Sequence, residues 1–426
     1  MSAVAAVPAP TAVSTTELLV RFARAGHMAG YTTNELEDRV ATLALRLGVP
    51  MVEVSAAPTS VQVAVGPIAR QEVHTLRVRP APVDLGAISR LDDLLRNVFD
   101  GDLDAVGAQA RLDELDAATT WQSWPIMLAG TGGVGLALTP LLGGDWRDAL
   151  VGGLVGVLVG AIMLAGRRRR QFEPVVVPLA AMAASFAASA LVELGLGTSR
   201  DVITLAALVP LIPGMTLTVG MTELASKDLQ SGVANAAGAL VQLLGVVFGV
   251  EVGRSIATAW LGASTPVLPV DATTAAQVLA ALLAGLAFTA TLRARARDAP
   301  LMCAATLLAL TANAVGTELL GKKAGVFGAA LAVGIAGGLI STRLRRSSLV
   351  FVVPGVLMLV PGSLGYASVL QLLTNDTVSG VTAAFDTFVT AVSIAYGLMI
   401  AALVVPAGVT KARARRAAAA ASSRPG

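Results

Sequence analysis

The sequence predicts an α-helical polytopic membrane protein, with about ten transmembrane helices as a 5+5 inverted repeat, preceded by a small cytoplasmic α/β domain. Three observations predict this. Hydrophobic residues make up 55% of the 426-residue chain and charged residues 14%, a balance that places most of it in a bilayer. Beyond Trp121–Pro125, apolar stretches of about 20 residues follow one another, each long enough to cross ~30 Å of hydrocarbon. A proline-glycine segment also recurs without gaps at a shift of 148 residues.

Residues 1–15 carry neither the basic flank nor the apolar core of a cleaved signal and are expected to be disordered. Residues 16–120 form the soluble domain. Apolar residues recur at helical spacing from Thr15 to about Met28, and "TTNELEDRVATLALRLG" is a second amphipathic helix, with Thr32 and Glu35 spaced as a capping box and Gly48 as its stop. The period then changes to two. "MVEVSA", "SVQVAV" and "VHTLRVR" alternate and are β-branched, which predicts two or three short strands before helical spacing returns over residues 84–99 and 102–118.

Ten spans are expected, at about 126–143, 147–166, 174–194, 201–220 and 232–252 in a first repeat (126–256), and 273–292, 299–317, 323–341, 348–372 and 384–406 in a second (273–406). A basic, Ala-rich tail (407–426) follows. With the N-terminus inside, internal segments hold fifteen Lys and Arg against five outside, so both termini are expected in the cytoplasm. Trp121 and Trp124 stand where interfacial aromatics belong. The arginine clusters read as topology anchors and phospholipid contacts.

The repeat sets the functional expectation. At the 148-residue shift Leu211, Pro213 and Gly214 fall on Leu359, Pro361 and Gly362; Asp228 falls on Asp376, and Ser231-Gly232-Val233 falls on Ser379-Gly380-Val381. The shift equals five spans, so the second copy is upside down. Apolar segments interrupted by Gly and Pro at matching places in two inverted halves are the sequence sign of a secondary transporter's solute site. A proline inside a helix costs about 3 kcal/mol and frees carbonyls that need partners. A half-helix starting at Gly214 or Gly362 would point free amides and a positive dipole end at a carboxylate, while freed carbonyls could take an ammonium group. Pro210, Pro213, Gly214, Thr216, Thr218, Pro361, Gly362 and Ser363 are thus candidate substrate contacts. The simpler alternative is that Pro210, Pro213, Pro354 and Pro361 only kink packed helices.

Polar groups inside spans are costly and mark function. Asn235 and Gln242 in the fifth span and Asn313 in the seventh qualify, Asn235 and Asn313 being added to the substrate contacts. Glu318 and Asp386 are the candidate proton-coupling carboxylates. Glu193 and Glu251 lie close to span ends. Asp228 and Asp376 should gate the transporter or cap the helices that follow them.

Several classes of chemistry are excluded. Two histidines and one cysteine cannot build a Cys/His metal cage, so no metal or cofactor is expected. Cys303 reads as an inert packed thiol. Scattered arginines without interleaved aromatics do not suit nucleic acid. Glu37, Asp38 and His27 carry no nucleophile, Walker or dinucleotide pattern around them, so no enzyme is expected.

The stretches "GHMAGYTTNELEDRVATLALRLGV", "VDLGAISRLDDLLRNVFDGDLDAVGAQARLDEL" and "LVPLIPGMTLTVGMTELASKDLQSGVANAAGALVQLLGVVFGV", followed by "VVPGVLMLVPGSLGY", resemble the threonine/serine exporter family of bacterial inner membranes. Pro213-Gly214, Thr218, Gly220, Asp228 and Ser231-Gly232 match its pattern. Val219 and Gly238 depart from it, where the family often has an asparagine and an acid. The resemblance implies ten spans, a cytoplasmic N-terminal domain and export of threonine and serine driven by the proton-motive force. The expected partners are therefore those amino acids, protons and the lipid bilayer, with a homo-oligomer left open. The alternatives are a carrier of another small metabolite such as a dicarboxylate, a channel-like bundle, or a membrane-bound enzyme with a catalytic cytoplasmic domain.

Overall fold

The computed structural model describes residues 15–49, 51–78, 82–117, 124–168, 170–262, 272–359, 366 and 377–405. The chain divides near Thr119–Thr120 into two units.

In the first unit α1 (Thr15–Ala29) buries Leu18, Leu19 and Phe22 on one face. Next, α2 (Thr33–Arg46) opens with the expected capping box, the Thr32 amide donating to Glu35 Oε2 at 3.2 Å. All three alternating stretches are strands: β1 (Val52–Ala57), β2 (Ser60–Val65) and β3 (Glu72–Arg77) form an antiparallel sheet in the order β1-β2-β3. Val61 and Val63 of the central strand are fully buried, with α1 packed on β2 and α2 on β1. Two further helices, α3 (Leu85–Asp100) and α4 (Ala105–Ala117), supply Ile88, Leu91, Leu94, Leu95 and Leu112 to the core.

A polar knot sits in this core. Arg39 Nε and Tyr31 Oη both donate to Asp92 Oδ1, at 2.8 and 2.7 Å, and the guanidinium lies 4.2 Å from the Tyr31 ring centroid. Burial, reinforced by the Asp92 charge, pushes the Tyr31 phenol well above its usual range. Removing one member of a buried ion pair strands the other. Asp92→Ala is therefore expected to destabilise this unit by about 3–5 kcal/mol, read as loss of hydrogen-exchange protection in α2 and α3.

The second unit is a multi-pass membrane bundle. Its helices are α5 (Trp124–Leu138), α6 (Trp146–Arg168), α7 (Val176–Glu193), α8 (Arg200–Leu208), α9 (Gly214–Ala225), α10 (Leu229–Leu261), α11 (Thr274–Thr291), α12 (Ala299–Leu320), α13 (Lys322–Leu344), α14 (Leu349–Leu359) and α15 (Thr377–Val404). Among the described residues, eight helical segments are long and apolar enough to cross a membrane, and α8 with α9 makes a ninth as one bent span. The expected ninth span begins as α14, with Pro354 inside it, and then passes out of the described residues. Pro361, Gly362, Ser363 and Asp376 lie there as well. The fifth span is longer than its hydropathy implies, because α10 runs for 33 residues.

Two sets of helices pack alike. In the first, α5 packs on α6, α6 on α7 and α8, and α7 on α8 and α10; in the second, α11 packs on α12, α12 on α13 and α14, and α13 on α14 and α15. The detail corresponds too. Gly135 meets Gly152 where α5 crosses α6, and Gly285 meets Cys303 where α11 crosses α12. The Thr139 hydroxyl donates to the Gly135 carbonyl at 2.7 Å, and the Thr289 hydroxyl donates to the Gly285 carbonyl at 2.9 Å. Gly249 of α10 fits against Pro178 and Ala181, as Gly397 of α15 fits against Phe327 and Ala330.

Candidate functional site

The membrane helix carrying Pro210 and Pro213 is broken. After α8 the chain makes one 3-10 turn over Val209–Leu211, and α9 leaves at 52° to α8. Local chemistry accounts for the break. Neither proline offers an N–H to the ladder. The Ile212 amide turns back to Leu208 and Val209, and the Gly214 amide bonds the Ile212 carbonyl at 2.8 Å across Pro213. Regular bonding resumes with the Leu217 amide on the Pro213 carbonyl at 3.0 Å. The amides of Met215 and Thr216, in the first turn of α9, have no partner within their helix.

One freed carbonyl is already occupied. Gln242 Nε2, on α10, donates to the Leu211 oxygen at 2.7 Å. This modifies the expectation that the break leaves its carbonyls for a solute: at Leu211 the partner is a side chain. Gln242 stood among the intramembrane polar residues without a role, and the structure supplies one.

A second polar contact lies farther along the same helix pair. Glu223 of α9 is 3% exposed, and its Oε2 accepts from Asn235 Nδ2 of α10 at 2.6 Å. Glycines permit the approach. A Cβ at Gly232 would stand 2.8 Å from the Leu224 amide nitrogen and 3.0 Å from the Gly220 oxygen, while one at Gly220 would stand 3.0 Å from the Ala236 nitrogen. The two backbones therefore meet directly, and Asn235 reaches the carboxylate.

The remaining candidates are distributed as follows. Gly214 and Pro213 are buried, whereas Pro210 and Thr216 are exposed. Thr218 is 2% exposed and donates to the Gly214 carbonyl at 3.0 Å. Asp228 is the N-cap of α10, accepting from the Ser231 amide at 3.5 Å. Asn313 Oδ1 is buried with no hydrogen-bond partner among the described residues. Glu318 is exposed on the last turns of α12. Asp386 pairs with Lys323 Nζ at 3.1 Å, a bond in which both side chains stay substantially exposed, beside the Phe385 ring. The structure thus places Pro213, Gly214 and Thr218 at the start of α9 and Asn235 on α10 against its far end, while Asp386 and Glu318 occupy more open positions.

Three carboxylates escaped the sequence reading. Glu223 lies three residues before Ser226-Lys227-Asp228, so hydropathy ends the span at 220 and treats it as loop; the helix runs on to Ala225. Asp148 is 1% exposed and accepts from the Thr198 amide and hydroxyl, at 2.6 and 2.7 Å, and from the Ser199 amide at 3.2 Å. It ties the start of α6 to the start of the broken helix. Asp298, also 1% exposed, holds Arg346 at 2.9 Å ahead of α14. An Asp just inside the first turn of α6 and one just before α12 was the available signal.

The half-helix α9 lies among elements of both sets. Met221 clusters with Ala391 and Ala395 of α15, and Met215 packs against the core built from α12, α13 and α14. In the opposite sense, Tyr366 is buried in the core formed by α6, α7, α8 and α10.

Comparison with known proteins places this architecture. The profile described as a putative threonine/serine exporter matches residues 17–257, and a second, described as threonine/serine exporter, matches residues 277–404. A probable threonine/serine exporter of Mycobacterium tuberculosis (strain ATCC 25618 / H37Rv) is 27% identical over 349 residues, which cover 76% of this chain and 63% of the relative. A threonine/serine exporter of Corynebacterium glutamicum is 25% identical over 322 residues, which cover 74% of this chain and 66% of the relative. The chain thus spans just under two thirds of the length of each. No solved structure matches it. With one profile reaching across α1 to α10 and the other across α11 to α15, the chain belongs to the threonine/serine exporter family.

Proposed function

We propose that this protein is a secondary transporter that exports threonine and serine from the cytoplasm, driven by the proton-motive force through alternating access. The observation that carries the reading is the 52° break between α8 and α9 in the middle of a bundle whose two helix sets pack alike. The two sets are the halves of a 5+5 inverted repeat in an inner membrane, with both termini and the N-terminal domain in the cytoplasm. Supporting the repeat, Gly135 and Thr139 of the first set correspond to Gly285 and Thr289 of the second, 150 residues on.

Substrate recognition follows from the free backbone at the break. The Met215 and Thr216 amides, at the positive end of α9, receive the amino-acid carboxylate. The Thr218 side chain and the Pro210 carbonyl face the ammonium and hydroxyl ends, and Asn313 contributes its unpaired oxygen. By the 148-residue repeat, Pro361, Gly362 and Ser363 are the substrate contacts contributed by the opposite half. Alternating access is a rocking of the halves about this site.

The test is efflux of labelled threonine from proteoliposomes holding the full chain, with and without an imposed pH gradient. The gradient should accelerate efflux, and unlabelled serine on the inside should compete. Threonine movement that is absent, or that ignores the gradient, would refute the proposal. In the same assay Pro213→Ala is expected to slow efflux at least tenfold, because restoring the residue-213 N–H as a donor to the Val209 carbonyl straightens the helix.

A further inference from the structure

The α9–α10 contact is a polar seam with two tied ends. On α10, Asn235 and Gln242 are seven residues apart, two helical turns and therefore on one face, about 10 Å from each other. Gln242 holds the Leu211 carbonyl at the break, and Asn235 holds Glu223 at the far end of α9. Thr216, Gly220 and Glu223 share a face of α9 at the i, i+4, i+7 spacing that belongs to one side of a helix. The rod that begins at the proposed solute site therefore ends on a buried carboxylate, with the Gly220–Gly232 backbone contact between.

A carboxylate 3% exposed inside a membrane bundle is expensive to keep ionised, and its cost is cut by a charge-assisted hydrogen bond. Protonation removes the charge and weakens that bond, so α9 is held to α10 with different strength in the two states. Other charged groups are carried by the elements packed against α9, and Lys227 lies in the link between α9 and α10. On α10 they are Asp228 at its N-cap, and Glu251 and Arg254, which pair with each other near its C-terminal end. On α15 the group is Asp386, already engaged by Lys323, and α14 carries none.

We infer that Glu223 is the group that carries the coupling proton, and that Asn235 positions it and tunes its affinity for that proton. This rests on the proposed export function and names its coupling site. A proton arriving from the high-proton side binds a Glu223 oxygen and releases the Asn235 tie. The α9 arm then returns toward the cytoplasm without solute, the proton leaves from the same oxygen to the cytoplasm as the tie re-forms, and the deprotonated arm carries the next solute outward.

The experiment compares the full-length parent, Glu223→Gln, Asn235→Leu and Asp386→Asn in threonine-loaded proteoliposomes, measuring gradient-driven efflux and, separately, equilibrium exchange of labelled for unlabelled threonine. Glutamine keeps an acceptor for Asn235 but cannot titrate. Glu223→Gln should lose gradient acceleration by at least tenfold while exchange stays within about twofold of the parent, and Asp386→Asn should retain both. Asn235→Leu should move the pH midpoint of efflux upward by about one unit, because the charged form loses its donor. Gradient-driven efflux in Glu223→Gln at the parental rate overturns the inference; so does loss of exchange together with efflux, which makes Glu223 a structural strut. A parent that shows no gradient response refutes the export proposal itself and is thereby distinguished.

Discussion

Gly232→Val is expected to abolish measurable threonine efflux while leaving the protein in the membrane. The added carbons would enter a space bounded by the Leu224 amide and the Gly220 carbonyl, both closer than 3.1 Å to where a Cβ would stand. Backbone atoms cannot swing aside as a side-chain end can, so the helices must separate. Overpacking typically costs 1–3 kcal/mol, but the functional loss should be larger. Separation would pull Asn235 off Glu223 and Gln242 off the Leu211 carbonyl, the two bonds that set the seam. Gly238, whose added Cβ would meet nothing within 4 Å on the same helix, is the control: Gly238→Val should transport within about twofold of the parent. Efflux measured for the pair in proteoliposomes checks the expectation.

Asp148→Ala is the second change with a large expected effect. Its carboxylate gathers the Thr198 amide, the Thr198 hydroxyl and the Ser199 amide, and it exchanges capping bonds with Asp145. Alanine leaves those donors buried without an acceptor, at roughly 1–3 kcal/mol each. The total should be on the order of 3–5 kcal/mol, limited by what water can reach. The start of α8 would then fray from α6, and the broken helix would lose its fixed end. Asp148→Asn should fall between, since its amide keeps one acceptor oxygen and turns a donor toward donors. Asp298→Ala, which abandons Arg346, is expected to cost about the same as loss of one partner of a buried pair, 3–5 kcal/mol. Thermal unfolding in detergent orders the three variants.

Much of this was legible in the chain, for reasons that differ from element to element. The capping box at Thr32 and Glu35 is a local pattern and formed as spaced. The strands were legible because period-two alternation survives in a sheet with one buried face, as in Val61 and Val63. Pro210 and Pro213 marked the break, since a missing N–H acts on its own turn whatever surrounds it. What the break does with its carbonyls could not be read, because Gln242 lies 31 residues from Leu211 and only the fold brings them together. Glu223 was missed for a related reason: hydropathy averages a window, and the polar run after Leu224 ended the span too soon. Asp386 had the opposite fate. It sits within an apolar helix as expected, yet Lys323, from the start of another helix, reaches it. Pairing across elements is tertiary information. Asp148 and Asp298 were hidden similarly, each looking like a loop residue until the segment it holds was in view.

The inverted arrangement of the two helix sets is the claim on which solute site, coupling and rocking all depend, and thiol accessibility tests it most directly. Leu196 and Leu344 occupy equivalent places 148 residues apart and are both exposed, at 54% and 56%. With Cys303, the chain's single cysteine, replaced by serine, Leu196→Cys and Leu344→Cys would be treated in intact cells with a membrane-impermeant maleimide. The account predicts that Leu196→Cys labels from outside and that Leu344→Cys labels only after the membrane is opened. Labelling of both from the same side would contradict it.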